Sequence, residues 1–184
     1  MKFIKTNIEG LLIIEPQIFR DDRGYFFESY SKKKFEAAGI HIDFVQDNQS
    51  FSQKGTVRGL HAQSAPHAQA KLVRVIQGRV LDVAVDIRKG SPTYGKYETI
   101  ELSSENQRQF LIPEGFLHGF ATLEDNTIFA YKVNNYYAKD CEVGIMWNDP
   151  TLAIDWGVNP SGAIISPKDE LLIKFADLNS PFIY

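Results

Sequence analysis

The feature that most constrains the fold of this chain is a series of short apolar segments, each closed by turn residues. Turn signals recur at Arg23-Gly24, Lys54-Gly55, Gln77-Gly78, Lys89-Gly90-Ser91-Pro92, Pro113-Glu114-Gly115 and Asn148-Asp149-Pro150. The segments between them are rich in Val, Ile, Phe and Tyr, which favour strands. Only "SKKKFEAAG", Ser31 to Gly39, reads as helix, with a serine suited to cap its start and a glycine suited to end it. The pattern predicts an all-β sandwich or barrel such as a jelly roll.

The clearest pair of strands is "KLVRVIQGRVLDVAVDIR", Lys71 to Arg88. Alternation in its first arm puts Lys71, Val73 and Val75 on one face and Leu72, Arg74 and Ile76 on the other. In its second arm Leu81, Val83, Val85 and Ile87 share a face, opposite Asp82, Ala84 and Asp86. Because Gln77-Gly78 lies where a tight turn needs positive φ, the sequence predicts that the two arms form a hairpin.

Composition narrows the class of protein. The 184 residues carry a net charge of -3, which gives no sign of nucleic-acid binding, and they suit a single domain spanning residues 1–184. The lone Cys141 cannot form an internal disulfide, which favours a reducing compartment. The N-terminal apolar run Leu11–Ile14 is too short for a signal peptide or a membrane span. We therefore expect a cytoplasmic protein without a membrane partner.

An unusual number of cations falls in "RGLHAQSAPHAQAKLVRV", Arg58 to Val75. His61 and Gln63 point the same way on a strand, Arg58 lies just before them, and Lys71 opens the next strand. If these strands are neighbours, the cations converge on one cavity, which would suit an anionic substrate such as a phosphate or a sugar nucleotide.

The alternative is that these cations are only solvated or ion-paired. Arg58 and Arg74 could pair with Asp82 and Asp86, and for Arg74 we favour this structural interpretation. For Lys71 the pattern leaves both interpretations open.

A metal site is the next hypothesis for the histidines. His61, His67 and His118 with Glu114 could hold a divalent ion, and "PEGFLH" resembles the second metal-site motif of cupins, P-x-G-x-x-H. The first cupin motif requires H-x-H, whereas this chain has Gln63 at the second position, and an amide is a poor ligand for a transition metal. We therefore expect a cupin-like barrel that has kept its pocket and binds no metal.

Tyrosines cluster in "FAYKVNNYY", which contains Tyr131, Tyr136 and Tyr137. Strand tyrosines are most often core or interface residues, and that is the interpretation the pattern favours. A functional alternative uses a phenol as a proton donor, with a pKa near 10, or as a flat surface on which a base stacks.

Nine segments taken together resemble the dTDP-4-dehydrorhamnose 3,5-epimerase family, a metal-free branch of the cupin-type jelly rolls. They are "FRDDRGYFFE", "FVQDN", "VRGLH", "AQAKLVRVIQG", "DVAVDIRKGSPTYG", "IPEGFLHGF", "YKVNNYYA", "GIMWNDP" and "ISPKD", and they run in order from about Phe19 to Asp169. The resemblance implies a cupin-type double-stranded β-helix with a few short helices.

The resemblance also implies an activity and its residues. Family members invert carbons 3 and 5 of dTDP-4-dehydro-6-deoxy-D-glucose to give dTDP-4-dehydro-L-rhamnose, without a cofactor. By motif match His61 is the base, Asp169 orients it, Lys71 stabilises the oxyanion and Tyr131 is the acid on the far wall.

Substrate contacts are implied at Phe19, Arg23, Glu28, Gln46, Asp47, Asn48, Arg58, Lys71, His118, Tyr136, Tyr137, Glu142 and Lys168. Tyr137 falls on the position that stacks against thymine, with Tyr136 as its substitute. Members are homodimers in which the N-terminal region of the partner contacts the nucleotide.

The chain departs from the family pattern at three positions. Ala62 stands where an aromatic residue is common, Gln49 where His or Glu is frequent, and Ala65 where a proline is frequent. Ala62 puts the packing behind the catalytic strand, and with it sugar selectivity, in question. Some relatives invert carbon 3 alone, so a carbon-3-only epimerase stays open as an alternative. A metal-dependent cupin enzyme is disfavoured by Gln63, and an inactive sugar-nucleotide-binding protein is disfavoured because the acid and the base are both present.

Overall fold

The computed structural model describes all 184 residues and contains thirteen strands and one α-helix. The strands are β1 Lys2–Lys5, β2 Leu12–Glu15, β3 Phe19–Asp21, β4 Gly24–Phe26, β5 Gln46–Ser52, β6 Val57–Gln63, β7 Lys71–Gln77, β8 Arg79–Asp86, β9 Tyr97–Ser103, β10 Gln109–Ile112, β11 Phe116–Thr122, β12 Thr127–Val133 and β13 Glu142–Gly144. Helix α1 spans Lys32–Ala37, and 3-10 helices span Lys139–Cys141, Pro160–Gly162, Asp169–Leu171 and Phe175–Asp177. No helix has the length and apolar character needed to cross a membrane.

Two antiparallel sheets face each other across a common core. The six-stranded sheet has the order β1-β2-β10-β7-β12-β5, and the five-stranded sheet has the order β13-β6-β11-β8-β9. Between them lies an apolar cluster that includes Val73 and Phe129 from the first sheet and Ala84 and Phe120 from the second. The prediction of an all-β jelly roll is confirmed. Strands β3 and β4 form a separate two-stranded hairpin.

The predicted faces of β7 and β8 are correct, but their predicted pairing is wrong. Val73 and Ala84 point into the core between the sheets, and Leu72 and Val83 point away from it. However, β7 pairs with β10 and β12, whereas β8 pairs with β9 and β11. The Gln77-Gly78 step, with Gly78 at φ +80°, therefore carries the chain from one sheet to the other.

Each sheet also has a covered outer face. Phe35 of α1 packs with Leu72, Leu111 and Ile14 on the outside of the six-stranded sheet. The helix begins after Ser31, as predicted, although the Ser31 side chain makes no capping hydrogen bond. The C-terminal third of the chain covers the outside of the five-stranded sheet, which brings Asp169 close to β6.

A bulge in β6 decides which side chains of that strand face the core. His61 lies opposite His118, and Arg58 lies opposite Phe120, so three residue steps on β6 match two on β11. Gly59 makes this possible: it has φ +124°, and an added Cβ would lie 2.6 Å from the Cα of Gly119. Because of the bulge, Arg58 and His61 both point between the sheets.

Candidate active site

An open cleft of about 580 Å³ lies between the two sheets at the β6 end of the core. The five-stranded sheet contributes Arg58, His61, His118 and Phe120, and the six-stranded sheet contributes Ser50, Ser52, Lys71, Phe129 and Tyr131. The C-terminal segment adds Ile164, Ile165, Ser166, Lys168 and Asp169. The cleft therefore has two walls from different sheets and an apolar floor where the rings of Phe120 and Phe129 stack 4.1 Å apart.

His61 and Asp169 form a close pair in this cleft. The imidazole Nε2 lies 2.6 Å from Oδ1 of Asp169, and Oδ2 accepts a weaker hydrogen bond from the main-chain N–H of Gly59 at 3.4 Å. Burial alone would raise the pKa of Asp169, but these hydrogen bonds and the nearby imidazole outweigh it and hold that pKa below its usual value. An ionised Asp169 accepts a hydrogen bond from the Nε2–H of His61, which leaves Nδ1 of His61 as the basic nitrogen.

Lys71 enters the cleft from the opposite sheet. Its ammonium donates to the main-chain oxygen of His61 at 3.5 Å. Burial lowers the pKa of Lys71 to about 8, although the carboxylate of Asp82 opposes that shift. Strands β6 and β7 belong to different sheets, so Arg58, His61 and Lys71 converge across the sandwich. The sequence had led us to expect convergence if the two strands were neighbours, and they are not.

Beneath Lys71 lies a second histidine–carboxylate pair. Nε2 of His118 is 3.0 Å and 3.1 Å from the two carboxylate oxygens of Asp82, and Asp82 is fully buried. Burial raises the pKa of Asp82 and lowers that of His118. A neutral His118 can donate its Nε2–H to Asp82, so the negative charge of that carboxylate stays near the Lys71 ammonium.

Tyr131 projects from β12, on the sheet opposite His61. Its half-buried ring packs against the core beside Phe129, with the ring centroids 6.1 Å apart. Burial raises the pKa of Tyr131, and the guanidinium of Arg58 only partly opposes this effect. The phenol therefore keeps its proton at neutral pH and can act as a proton donor.

Polar groups cluster at the mouth of the cleft. Arg58 donates to Oγ of Ser52 at 3.2 Å and to the main-chain oxygen of Phe51 at 3.4 Å. Lys168 forms an ion pair with Glu142, and this contact, together with the Tyr137 hydroxyl, holds the pKa of Glu142 below its usual value although burial acts in the other direction. These groups can bind an anionic ligand at the entrance.

Only four of the thirteen predicted substrate residues, Arg58, Lys71, His118 and Lys168, line the cleft of their own chain. Phe19 and Arg23 belong to the exposed β3–β4 hairpin, and Arg23 bonds Asp21. Glu28, just after that hairpin, pairs with Lys34. Asp47 pairs with Lys132 at 2.8 Å on the outer face of the six-stranded sheet. Gln46 and Asn48 bond each other at 2.8 Å and alternate with Asp47 along β5.

The structure also places the exposed tyrosines and Arg74. Tyr136 and Tyr137 follow the end of β12 and are exposed, so of the two roles that the pattern favoured, core or interface, the core is excluded. Arg74 does not line the cleft, as the favoured interpretation expected, but it pairs with neither Asp82 nor Asp86. It lies on the outer face of its sheet, with its guanidinium 6.0 Å from the ring centroid of Phe27. Asp82 and Asp86 belong to β8 of the other sheet, and the core between the two sheets separates them from the outer face that carries Arg74.

The residues proposed as metal ligands are not assembled into a metal site. No group of three or more His, Cys, Asp or Glu side chains is arranged to hold a metal ion. The Gln63 amide bonds main-chain groups of neighbouring loops, and Glu114 accepts a hydrogen bond from Asn134 at 3.0 Å. That the protein works without a metal stays a prediction.

Sequence reasoning gave no role in the site to Asp82, Ser52, Phe120 or Phe129. Asp82 had a usable signal, because its carboxylate shares the inward face of β8 with the apolar Val80 and Ala84. Ser52, Phe120 and Phe129 carried no such signal, because phenylalanine and serine at alternating positions are ordinary strand residues.

In sequence and in structure, the chain is similar to proteins of one family. Residues 5–177 match the family model described as dTDP-4-dehydrorhamnose 3,5-epimerase. The chain is 54% identical over 179 residues to the dTDP-4-dehydrorhamnose 3,5-epimerase of Shigella flexneri, with 96% of this chain and 97% of that protein covered.

Two solved structures are informative. The dTDP-6-deoxy-D-glucose-3,5-epimerase of Legionella pneumophila, in complex with dTDP-4-keto-L-rhamnose, is 48% identical with a TM-score of 0.95 and covers 100% of this chain and 98% of that chain. A 3'-monoepimerase of Streptomyces bikiniensis, in complex with dTDP-quinovose, is 31% identical with a TM-score of 0.86 and covers 93% of this chain and 86% of that chain.

Proposed function

The chain belongs to the dTDP-4-dehydrorhamnose 3,5-epimerase family and is an isomerase, and from this premise we propose that it converts dTDP-4-dehydro-6-deoxy-D-glucose into dTDP-4-dehydro-L-rhamnose in dTDP-L-rhamnose biosynthesis. The observation that carries the proposal is the cleft in which the His61–Asp169 pair and Tyr131 come from opposite sheets. Inversion of a carbon needs a base on one face of the sugar and an acid on the other, and this arrangement supplies both.

The chemistry follows from the ketone at carbon 4. The hydrogens on carbons 3 and 5 are acidic because loss of either proton gives an enolate conjugated with that ketone. His61 takes the proton at Nδ1, and the electron pair of the C–H bond becomes the enolate. Asp169 holds the ring and stabilises the imidazolium at 2.6 Å.

Reprotonation on the far face completes each inversion. Tyr131 donates its phenolic proton to the enolate carbon, the carbonyl re-forms, and solvent restores the phenol and removes the proton from His61. The Lys71 ammonium stabilises the enolate oxygen, supported by the Asp82 charge beneath it. Because no atom changes its oxidation state overall, the reaction needs no redox cofactor.

The rest of the substrate is a thymidine diphosphate. The cations Arg58 and Lys168 at the mouth of the cleft suit its phosphates. Tyr137, beside the Glu142–Lys168 pair, is the proposed stacking surface for thymine, and its exposed ring supports this role. His118, Gln46 and Asn48 are the other proposed contacts from the same chain.

The proposed enzyme is a cytoplasmic homodimer. The outer face of the six-stranded sheet carries exposed apolar side chains such as Phe51, which is 56% exposed, and a groove of about 390 Å³ lined by Arg74, Gln109 and Lys132. The exposed β3–β4 hairpin carries Phe19 and Arg23, outside the cleft of its own chain. Both features support a partner that covers this face and receives the hairpin. The free Cys141 is compatible with a reducing cytoplasm.

Incubation of dTDP-4-dehydro-6-deoxy-D-glucose with the enzyme in deuterated water tests the reaction. We expect deuterium at both carbon 3 and carbon 5 of the product, because each carbon passes through an enolate that is protonated from solvent. Deuterium at carbon 3 alone would show that the enzyme inverts only that carbon. The reaction would then be of the kind named for the Streptomyces bikiniensis relative, a 3'-monoepimerase.

A variant of the base tests the mechanism separately. His61→Asn should reduce exchange at both carbons by about 10³-fold, because general-base catalysis contributes 10²- to 10⁴-fold. His41→Asn, at an exposed histidine outside the cleft, is the matched control and should exchange like the wild type. Near-normal exchange in His61→Asn would mean that another residue is the base.

A further inference from the structure

Gln63 ends the strand that carries His61, two residues further along the chain. Its side chain is buried, with 5% of the residue exposed, and it does not line the cleft. In the sequence it is the residue that replaces the second histidine of an H-x-H metal motif. A buried primary amide needs hydrogen-bond partners, and the partners of Gln63 indicate what it does.

The Gln63 amide bonds the main chain on both sides of Tyr137. Nε2 donates to the main-chain oxygen of Tyr136 at 3.1 Å, and Oε1 accepts from the main-chain N–H of Ala138 at 2.8 Å. Nε2 also donates to the main-chain oxygen of His67 at 2.6 Å. One side chain thus holds the residues immediately before and after an exposed tyrosine.

The Gln63 amide makes these contacts because it can donate and accept hydrogen bonds at the same time. A carboxylate in the same place accepts but cannot donate, and an apolar side chain of similar length does neither. Either replacement would leave main-chain groups without their partner while the loop itself stayed closed. The loop has separate attachments, because Gln69 donates to the main-chain oxygen of Asn135 at 2.7 Å and Asn135 donates to that of Pro66 at 3.0 Å.

We propose that Gln63 is a positioning residue for nucleotide recognition. Gln63 and His61 belong to the same strand, β6. By holding the main chain on each side of Tyr137, Gln63 therefore fixes the distance between the thymine-stacking ring and His61. The substrate must reach both residues at once, with its base on the ring and its sugar at the imidazole. This inference rests on the proposed function, since it requires Tyr137 to stack against the base.

The test compares Gln63→Met and Gln63→Glu with the wild type. The dissociation constant for dTDP is measured by calorimetry, and KM and kcat are measured for epimerisation. We expect both the dissociation constant and KM to rise about tenfold, because hydrogen bonds that position Tyr137 are lost. We expect kcat to change by less than about threefold once the substrate is saturating, because the contacts of His61 and Tyr131 are untouched.

Two further variants separate positioning from a general loss of structure. Gln69→Met removes a comparable amide bond to the same loop without touching the neighbours of Tyr137, so dTDP binding should match the wild type. In a Tyr137→Ala background, Gln63→Met should add no further loss of dTDP affinity, because its effect acts through that ring.

The outcomes are distinct. Unchanged dTDP affinity in Gln63→Met, or equal losses in Gln63→Met and Gln69→Met, would overturn the positioning role. A further tenfold loss in the Tyr137→Ala background would do the same. Failure of the wild type to bind dTDP or to epimerise would instead overturn the proposed function.

Discussion

At the scale of single residues, we expect the Lys71 ammonium to give the site its pH dependence. Burial lowers the pKa of Lys71 to about 8, whereas burial raises that of Tyr131. In the proposed mechanism the enolate is stabilised by the charged lysine, so kcat should fall as pH rises through about 8. Because Tyr131 is still protonated in that range, its titration cannot be the cause. Measurement of kcat between pH 6 and pH 10, as rough limits around that value, should show this alkaline limb.

Lys71→Met tests the assignment. The variant should lose about 10²- to 10³-fold in kcat at pH 7 and lose the alkaline limb, because the fixed charge next to the enolate is gone. Lys33→Met, at an exposed lysine of α1, should keep both the rate and the limb. An unchanged limb in Lys71→Met would assign that titration to another group.

How far the sequence predicts a residue's role depends on whether that role is local. Alternation correctly put Lys71 on the same face of β7 as Val73 and Val75, because face is decided by neighbours along the strand. The contacts of Asp82 with His118 and of His61 with Asp169 join residues far apart in sequence. A single sequence carries no physical signal for such distances, and the His61–Asp169 pair was expected only from the family resemblance.

At the scale of elements, the bulge in β6 is what brings Arg58 and His61 to the same face. Gly59→Ala should lower the free energy of unfolding by about 3 kcal/mol or more, because the methyl group would overlap Gly119 and φ is positive. We expect activity to fall as well, since the direction of His61 depends on the bulge. Urea denaturation and kcat of the folded fraction measure the two effects.

Gly162→Ala is the matched control for the bulge. An added Cβ at Gly162 meets nothing within 4 Å and φ is not positive, so the change should stay within about 0.5 kcal/mol. Equal stability of the two variants would show that the close approach of β6 and β11 tolerates a side chain.

Strand pairing shows the limit of prediction at this scale. The faces of β7 and β8 followed from period-two alternation, but their partners did not. Gly78, at φ +80°, suits a hairpin turn and equally suits a step between two sheets. Strand partners depend on the burial of both outer faces, by α1 on one sheet and by the C-terminal segment on the other, and these contacts are remote in sequence.

At the scale of the whole molecule, Asp86 and Arg88 attach the end of β8 to the C-terminus. The Arg88 guanidinium pairs with Asp86 and lies 4.5 Å from the ring centroid of Phe116 and 5.0 Å from that of Tyr184. Burial alone would raise the pKa of Asp86, but hydrogen bonds from Arg88, Ser91 and Thr93 lower it to about 2.

This pKa makes part of the stability depend on pH. The folded pKa of about 2 lies below the usual carboxyl pKa of 3.8, so the stabilisation is present above about pH 4 and is lost as pH falls toward 2. Asp86→Asn should cost about 2 kcal/mol at pH 7 and almost nothing near pH 2. Denaturation across this range checks the expectation, with Asp177→Asn, at an exposed carboxylate, as the control that stays near zero. If Asp86→Asn lowered the free energy of unfolding equally at every pH, the ionised carboxylate would not be the cause of the loss.

The largest-scale prediction concerns whether one chain holds a complete site. Arg23 is 89% exposed in its side chain and bonds only Asp21, on a hairpin outside its own cleft. If this hairpin serves the partner's nucleotide site, Arg23→Ala should raise KM by about tenfold or more, since a charged hydrogen bond to phosphate is lost. His61→Asn should instead abolish turnover of the site in its own chain.

Co-expression of the two variants separates the geometries. In a mixed dimer, the chain carrying Arg23→Ala keeps His61 and receives an intact Arg23 from its partner, so one site of the two is complete. Isolated by two different affinity tags, this dimer should show about half the wild-type kcat per dimer with a normal KM. If Arg23 acts within its own chain, the only site with His61 lacks the arginine, and the mixed dimer should keep the high KM of the Arg23→Ala homodimer. A normal KM in the Arg23→Ala homodimer would show that Arg23 does not bind the substrate. If the two variants never formed a mixed dimer, the proposed site shared between two chains would be wrong.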